Sequence, residues 1–401
     1  MRISTLSIYG NATSQLNSLQ SALARTQEQL ATNRRINAPS DDPIASARAL
    51  QVSQSLQMNE QFATNRSSAR SSLAMTEGAL ESAGNLVQDI QDLAMRAGSG
   101  ILQASDRTAI AAELEGRLAD LLGVANSSDG NGGYLFSGYR ATTQPYTATP
   151  DGARYDGDQG ERQLQVGASR RLPQSVPGSA VFDGIPTGNG RFQTAAAPAN
   201  TGTGVISAGS VTGSAPANGY HFAVNFTAPD RFDITDTSVV PPAVLVPDQP
   251  FKPGEPISFG GVSVEIKGGP AAGDVFTVEP SAKESLFSTV SNLISVLRAP
   301  VDTPADKAAL TNGLQDALSN LAHAHDKILT VRASVGAHMK ELDYLDSAGA
   351  DLDIQYQATL SDLVDLDMVK AITEFTQQQT TLQAAQMSFK TMSGLSLFNY
   401  L

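Results

Sequence analysis

The chain has 401 residues, 41% of them hydrophobic but only 6% aromatic, with no Trp and a formal net charge of −13. That length admits two or three domains. The acidic balance, without any dense Lys/Arg run, argues against nucleic acid as a partner and predicts solubility and weak attraction to anionic surfaces. The absence of Cys excludes disulfides and thiolate metal sites. The scarcity of aromatics predicts a core packed by Leu, Val, Ile and Ala rather than by large aromatic clusters.

The first twenty residues contain no apolar core of the kind a cleaved secretory signal needs. No run of about 18 apolar residues occurs, so no membrane partner is expected. Ala12, Leu16, Leu19, Leu23, Thr26 and Leu30 then alternate spacings of four and three, and Leu16, Leu23 and Leu30 are seven apart. This is the seam of a helix that must meet another helix. Asn37-Ala38-Pro39-Ser40-Asp41-Asp42-Pro43 breaks it. Pro39 does not fit a helix interior, Ser40, Asp41 or Asp42 suits an N-cap, and Pro43 suits a first helical turn.

A long helix is predicted from about Ile44 to Gly98, with Ala69, Leu73, Thr76, Leu80, Ala83, Val87, Ile90 and Ala94 on one stripe. It would be roughly 80 Å long and needs partners along its length. Gly98-Ser99-Gly100 reads as a stop, and Asp106 as the start of a further helix carrying Ile110, Leu114, Leu118 and Leu121.

From Asn126 to about Pro280 the texture changes. Phe222/Val224/Phe226, Val262/Val264/Ile266 and Phe276/Val278 alternate with polar or small residues, and Gly pairs separate them. Those patterns predict half-buried strands joined by hairpins. Thr194–Gly219, rich in Ala, Gly, Thr, Ser and Pro, reads as a surface excursion or a poorly ordered loop.

Helical periodicity returns from Ser285, with Leu314, Leu318, Leu321, His325, Ile328, Val335, Met339 and Leu342 on one stripe. Near the end, Met368, Phe375, Leu382 and Phe389 are seven apart, with Ala371, Ala385 and Met392 between. Both ends of the chain therefore carry short seams, and isolated short helices are marginal in water. The two ends are expected to pair with each other or with neighbouring subunits, and to order on assembly.

Chemistry is sparse. His323 and His325 form the one close His pair, but residues two apart on a helix point about 200° apart, which is poor for chelating one metal. Gly130-Asn131-Gly132-Gly133 lacks the Lys-Ser/Thr of a phosphate loop. Asp41-Asp42 fits capping better than acid–base work, and Asp362, Asp365 and Asp367 fit a solvated helix surface better than a cation site. No catalytic, metal or cofactor residue is assigned and no cofactor is expected, so the chain reads as a non-enzyme.

The stretch Asn33-Arg34-Arg35-Ile36-Asn37-Ala38-Pro39-Ser40-Asp41-Asp42-Pro43 resembles the N-terminal signature of the flagellin family, and Thr76-Glu77-Gly78-Ala79-Leu80 resembles the family's following helix. Three stretches are similar to its hook–filament junction members rather than to filament subunits. They are Met1-Arg2-Ile3-Ser4-Thr5, Asp129 to Tyr139 (DGNGGYLFSGY), and the tail Leu395-Ser396-Leu397-Phe398-Asn399-Tyr400-Leu401. The resemblance covers roughly residues 1–140 and 285–401, and residues 141–284 match nothing.

The resemblance implies an α+β chain: a long helical coiled-coil rod made from both chain ends, with an inserted, mainly-β outer domain. Residues 1–40 and 365–401 would form an inner tube, 41–140 and 285–364 a helical middle domain, and 141–284 the outer insert. Subunit contacts are expected at Leu16, Leu19, Leu23, Leu30, Met368, Phe375, Leu382, Phe389, Leu397 and Phe398. Arg35, Asn37, Asp41, Asp42 and Pro43 form the signature loop. Implied partners are further copies in a homo-oligomer ring, a neighbouring hook-associated protein on the hook side, flagellin on the filament side, and an export chaperone. Implied location is the flagellum, reached through the flagellar type III apparatus without signal cleavage. Two alternatives stay open: a filament subunit, and an adhesive β-domain on a helical stalk.

Overall fold

The computed structural model describes residues 5–99 and 102–394. Three helices come first: α1 (Thr5–Thr32), α2 (Pro43–Ala97) and α3 (Ala104–Ala125). Helix α3 begins two residues before the expected Asp106, because Asp106 acts from inside the first turn. Its Oδ2 accepts from the Gln103 backbone N–H at 3.0 Å and closes the exposed helix end.

Short strands follow. They are β1 (Tyr146–Thr149), β2 (Gly152–Tyr155), β3 (Gln163–Gly167) and β4 (Arg170–Pro173), then the one-turn helix α4 (Gly178–Phe182) and β5 (Ile185–Pro186). The larger sheets use β6 (Phe192–Ala196), β7 (Val205–Ile206), β8 (Ser210–Val211), β9 (Phe222–Ala228), β10 (Arg231–Asp236), β11 (Ala243–Pro250), β12 (Pro256–Phe259), β13 (Val262–Lys267) and β14 (Val275–Pro280). β15 (Lys283–Glu284) leads into α5 (Leu286–Arg298), α6 (Pro304–Val364) and α7 (Met368–Gly394). Among the described residues, no helix is long and apolar enough to cross a membrane.

The chain packs as two compact units, one of residues Met1–Thr64 with Tyr344–Leu401 and one of Asn65–Asp343. In the second, one sheet runs β11-β10-β9-β14-β6 and another runs β12-β13-β7, with β8 also on β13. All these pairings are antiparallel. The sheets enclose one core, in which Phe222, Val224 and Phe226 of β9 share contacts with Phe276, Val264 and Ile266. Strict alternation along β13 and β14 puts one face inside and the other in water, as the sequence pattern predicts.

Two expectations fail here. The core is aromatic: Phe192, Phe222, Phe226, Phe232, Phe251, Phe259 and Phe276 all lie in it, with rings such as Phe226 and Phe251 edge to face at 5.0 Å. A low overall aromatic share says nothing about where those rings are concentrated. A second aromatic cluster, of Phe136, Tyr146, Phe182 and Phe287, joins the short strands to α5. Nor is Thr194–Gly219 an excursion. It contains β7 and β8, and Ile206 is buried with its N–H donating to Asn312 Oδ1 on α6 at 3.0 Å. Its small residues permit close packing: a Cβ on Gly204 would lie 2.5 Å from the Phe276 ring.

Helices α3 and α5 pack on each other, and the buried stripe of α5 is Leu286, Phe287, Val290, Leu293, Ile294 and Leu297. On α6, Leu314, Leu321, Ile328, Val335 and Leu342 are buried, which is the stripe expected from spacing. Along α2, Leu73, Thr76, Leu80, Ala83, Val87, Ile90 and Ala94 are fully buried. His323 and His325 diverge as helical geometry requires. His323 Nε2 lies 3.1 Å from the Gly188 carbonyl oxygen, and His325 Nε2 lies 3.4 Å from Gln88 Nε2.

Candidate functional site

The residues singled out by sequence lie in the unit of residues Met1–Thr64 and Tyr344–Leu401. Helices α1 and α7 pack along one another. Tyr9 meets Phe389 edge to face at 5.9 Å, and Thr26 Oγ1 lies 3.0 Å from Gln378 Oε1 as its donor. Moving up α1 therefore means moving down α7, so the pair is antiparallel.

The seam is only partly closed. Thr26 and Ala371 are buried, whereas Leu16, Leu19, Leu23, Leu30, Phe375, Leu382 and Phe389 stay half-buried. Met368, first in its heptad series, is exposed. A two-helix pair covers each seam residue from one side, and burial on the other side needs further helices. Along the outward face of α7, Val369 is 79% exposed, Ile372 51% and Met387 66%. No charged residue interrupts α7 between Phe375 and Phe389. Such apolar, uncharged exposure on a helix is the mark of a surface made for contact.

The loop between α1 and α2 is built around backbone hydrogen bonds. Asn33 takes φ 54°, turning the chain out of α1. Arg35 N–H donates to the Val364 carbonyl at 2.7 Å, its guanidinium donates to the Leu363 carbonyl, and Arg34 bridges Asp365. The signature loop is thereby fastened to the end of α6. Asn37 Oδ1 accepts from Thr32 Oγ1 at 2.8 Å. Asp41 Oδ2 accepts from the N–H groups of Asn37 and Ala38 at 3.1 and 3.0 Å, and Arg25 reaches its other oxygen at 3.1 Å.

Asp42 caps α2, its Oδ1 accepting from Ala45 N–H at 3.0 Å, with Pro43 as the first helical residue. Of the three capping residues that sequence allows, Asp42 holds the position because Asp41 is committed to the turn before it. Backbone hydrogen bonds from Ala38 and Asn37 hold the Asp41 carboxyl below the usual carboxylate range, and the one from Ala45 does the same for Asp42. Asp367 caps α7 through Lys370 N–H at 3.1 Å, and Asp365 takes a hydrogen bond from Ser361. Those two carboxylates are thus occupied in ending one helix and starting the next.

Residues 3–141 match the model of the bacterial flagellin N-terminal helical region. The chain is 28% identical to flagellar hook-associated protein 3 of Escherichia coli (strain K12) over 399 residues, 99% of each chain. The crystal structure of Xanthomonas campestris FlgL is similar at 32% identity with a TM-score of 0.72, over 77% of this chain and 99% of that one. The flagellar junction protein FlgL from Legionella pneumophila is also 32% identical, with a TM-score of 0.70 over 79% of this chain and 100% of that one.

The chain belongs to the FlgL family of flagellar hook-associated proteins. As a family member it is a structural protein of the bacterial flagellum, not an enzyme. The flagellin match ends at residue 141, while the match to hook-associated protein 3 runs nearly end to end, which separates this FlgL-family chain from a filament subunit. Its α+β architecture of long helices from both chain ends around a β-rich insert is the one expected from sequence.

Leu397 and Phe398 lie outside the described residues. Periodicity alone does not single out Arg25, Gln378 or the outward row Val369, Ile372 and Met387. The signal for that row is present: apolar residues standing off the heptad positions of a helix already supplied with a seam.

Proposed function

We propose that this chain is the structural subunit that joins the hook to the flagellin filament and offers the surface on which the filament assembles. The carrying observation is the antiparallel α1/α7 pair, with its half-open seam and its uncharged, apolar outward row. Each Leu or Phe fully buried there contributes about 1.5–3 kcal/mol, while ordering the backbone costs about 1–2 kcal/mol per residue. The balance is near zero for one copy and favourable once several copies share their seams. A subunit of this kind stays soluble before assembly and becomes firm within it.

In this reading residues 1–40 and 365–401 form the inner tube, 41–140 and 285–364 the helical middle domain, and 141–284 the outer domain. Leu16, Leu19, Leu23, Leu30, Met368, Phe375, Leu382, Phe389, Leu397 and Phe398 contact neighbouring subunits. Arg35, Asn37, Asp41, Asp42 and Pro43 shape the turn that delivers α1. Copies form a ring by heterologous contacts, one face against the opposite face of the next. A second hook-associated protein lies on the hook side and flagellin on the filament side. The chain leaves the cell through the flagellar type III apparatus without signal cleavage, its C-terminal helix covered by an export chaperone until then.

A clean gene deletion tests this, scored by electron microscopy of the cells and by assay of the medium. Hooks without filaments, with unpolymerised flagellin in the medium, are expected. Normal filaments on the deletion strain would overturn the proposal.

A further inference from the structure

The hairpin of β10 and β11 ends in an apolar tip. Val240 is 97% exposed, Val239 39%, and Val244 and Leu245 on the following strand are 54% and 47% exposed. From Thr237 to Pro247 there are 11 residues without a charge, in a chain of net charge −13. Toward the other end of the same hairpin, where the free edges of β11 and β12 leave the two sheets open, lies a cavity of about 220 Å³. Phe232, Ile234, Val246, Phe251 and Ile257 line it. Lys252 and Glu255 at its rim satisfy each other at 3.0 Å, so the rim calls for no charged partner.

The cavity is shaped for side chains rather than for an added strand. Pro247 and Pro250 remove two N–H donors from β11, and the register shifts beside Asp248, whose φ is 52°. Prolines and a bulge of this kind blunt an edge against strand addition. A branched aliphatic side chain with its neighbouring Pro ring suits the opening, and Val240-Pro241 presents that pair. The tip does not reach its own cavity. Six residues separate Val240 from Val246, roughly 20 Å of extended chain at ~3.3 Å per residue, and pairing with β10 keeps β11 extended.

We propose that the Val239–Pro242 tip of one copy docks into the Phe232/Val246/Phe251/Ile257 cavity of the next copy, an outer contact that repeats around the assembly. Tip and cavity are different surfaces of one molecule, so the contact is heterologous, as a ring requires. An uncharged patch is also what allows two chains of net charge −13 to approach each other. The inference rests on the proposed side-by-side assembly for its strength. One tip is a small contact, and it becomes effective when the terminal helices hold copies at high local concentration.

The natural chain has no Cys, which permits a direct test on the full-length protein. Val240→Cys and Ser258→Cys place thiols on the exposed tip and the exposed rim of the cavity. The two variants are mixed at about 1 mM, the concentration that short tethering supplies, under mild oxidation. The mixed disulfide dimer should form about tenfold faster than for Val240→Cys mixed with Thr227→Cys, a site exposed on the same sheet, corresponding to about 1.4 kcal/mol of contact. Equal rates for the two mixtures overturn the contact, as does faster dimerisation of Val240→Cys alone, which would mean tip meeting tip. Either failure leaves the junction proposal standing, because that proposal is decided by the deletion strain.

Discussion

Asp316 offers a measurable test of how the insert sits on its helices. It projects from α6 into a cavity of about 260 Å³ lined also by Glu284, Thr187, Gln193, Asn292 and Asn320. Among the described residues, the other charged group lining that cavity is the Glu284 carboxylate, which already accepts from Thr289 and Asn292. Burial without a cation pushes the Asp316 carboxyl from 3.8 up to about 7. Its folded-state value therefore exceeds its unfolded value, and the folded protein holds the proton more tightly. The slope of stability with pH is negative between those values, so stability is greatest below pH ~4, falls as pH rises to about 7, and is level above. At about 1.4 kcal/mol per pH unit the loss has a ceiling of about 4 kcal/mol, and partial hydration of the cavity brings the expected figure to about 2–3 kcal/mol.

Asp316→Asn keeps the shape and removes the titration. Urea unfolding of the full chain at pH 5 and pH 8 should show the wild type losing about 2 kcal/mol or more of stability between the two, and the Asn variant losing clearly less. Asp183, half-buried and also held above its ordinary value by burial, contributes in the same direction and accounts for a residual slope. If both proteins follow one pH curve, the carboxyl is not desolvated as described.

Three other predictions follow from the packing. Phe375→Asp or Leu382→Asp should leave a folded, soluble monomer, because both side chains are half-exposed there, yet abolish filament attachment in cells; normal filaments with either variant would refute the seam assignment. Residues 1–36 and 368–401 should be cleaved first in limited proteolysis of a dilute monodisperse sample, since α1 and α7 have mainly each other to pack against; full protection would refute it. Phe276→Ala, at the centre of the sandwich and fully buried, should cost about 3–5 kcal/mol; a shift under about 1 kcal/mol in denaturant midpoint analysis would show a core that collapses around the gap.

Local signals account for most of what was readable in advance. Periods of four and three are set within a single helix, so α2, α6 and the terminal helices were visible in their own residues. Pro39, Asp42 and Pro43 act within one turn of where they stand, which made the break before α2 legible. The resemblance in the signature loop added the family, and the seams suggested contact. What the seams left open was the partner of each helix. Arg35 N–H meets Val364 across 329 positions of chain, and Thr26 meets Gln378 across 352. Nothing in either local stretch encodes the other.

The insert shows the same division more sharply. Alternation in Val262–Lys267 or Val275–Pro280 announces a strand and its inward face, because pleating makes side chains alternate whatever lies beside them. By contrast β7 and β8 are two residues each, too short for any period, and exist because β13 offers them an edge. Their Gly and Ala neighbours look like loop until Phe276 is seen lying against Gly204. By itself, then, the amino-acid sequence determined the helices, the caps, the family and the existence of a β insert, all of which depend on neighbours along the chain. Tertiary structure alone decided the antiparallel match of α1 with α7, the aromatic core, the seating of Ile206 on α6, and the apolar tip and cavity at opposite ends of one hairpin. Those features depend on contacts between residues far apart in sequence, which only the folded chain brings together.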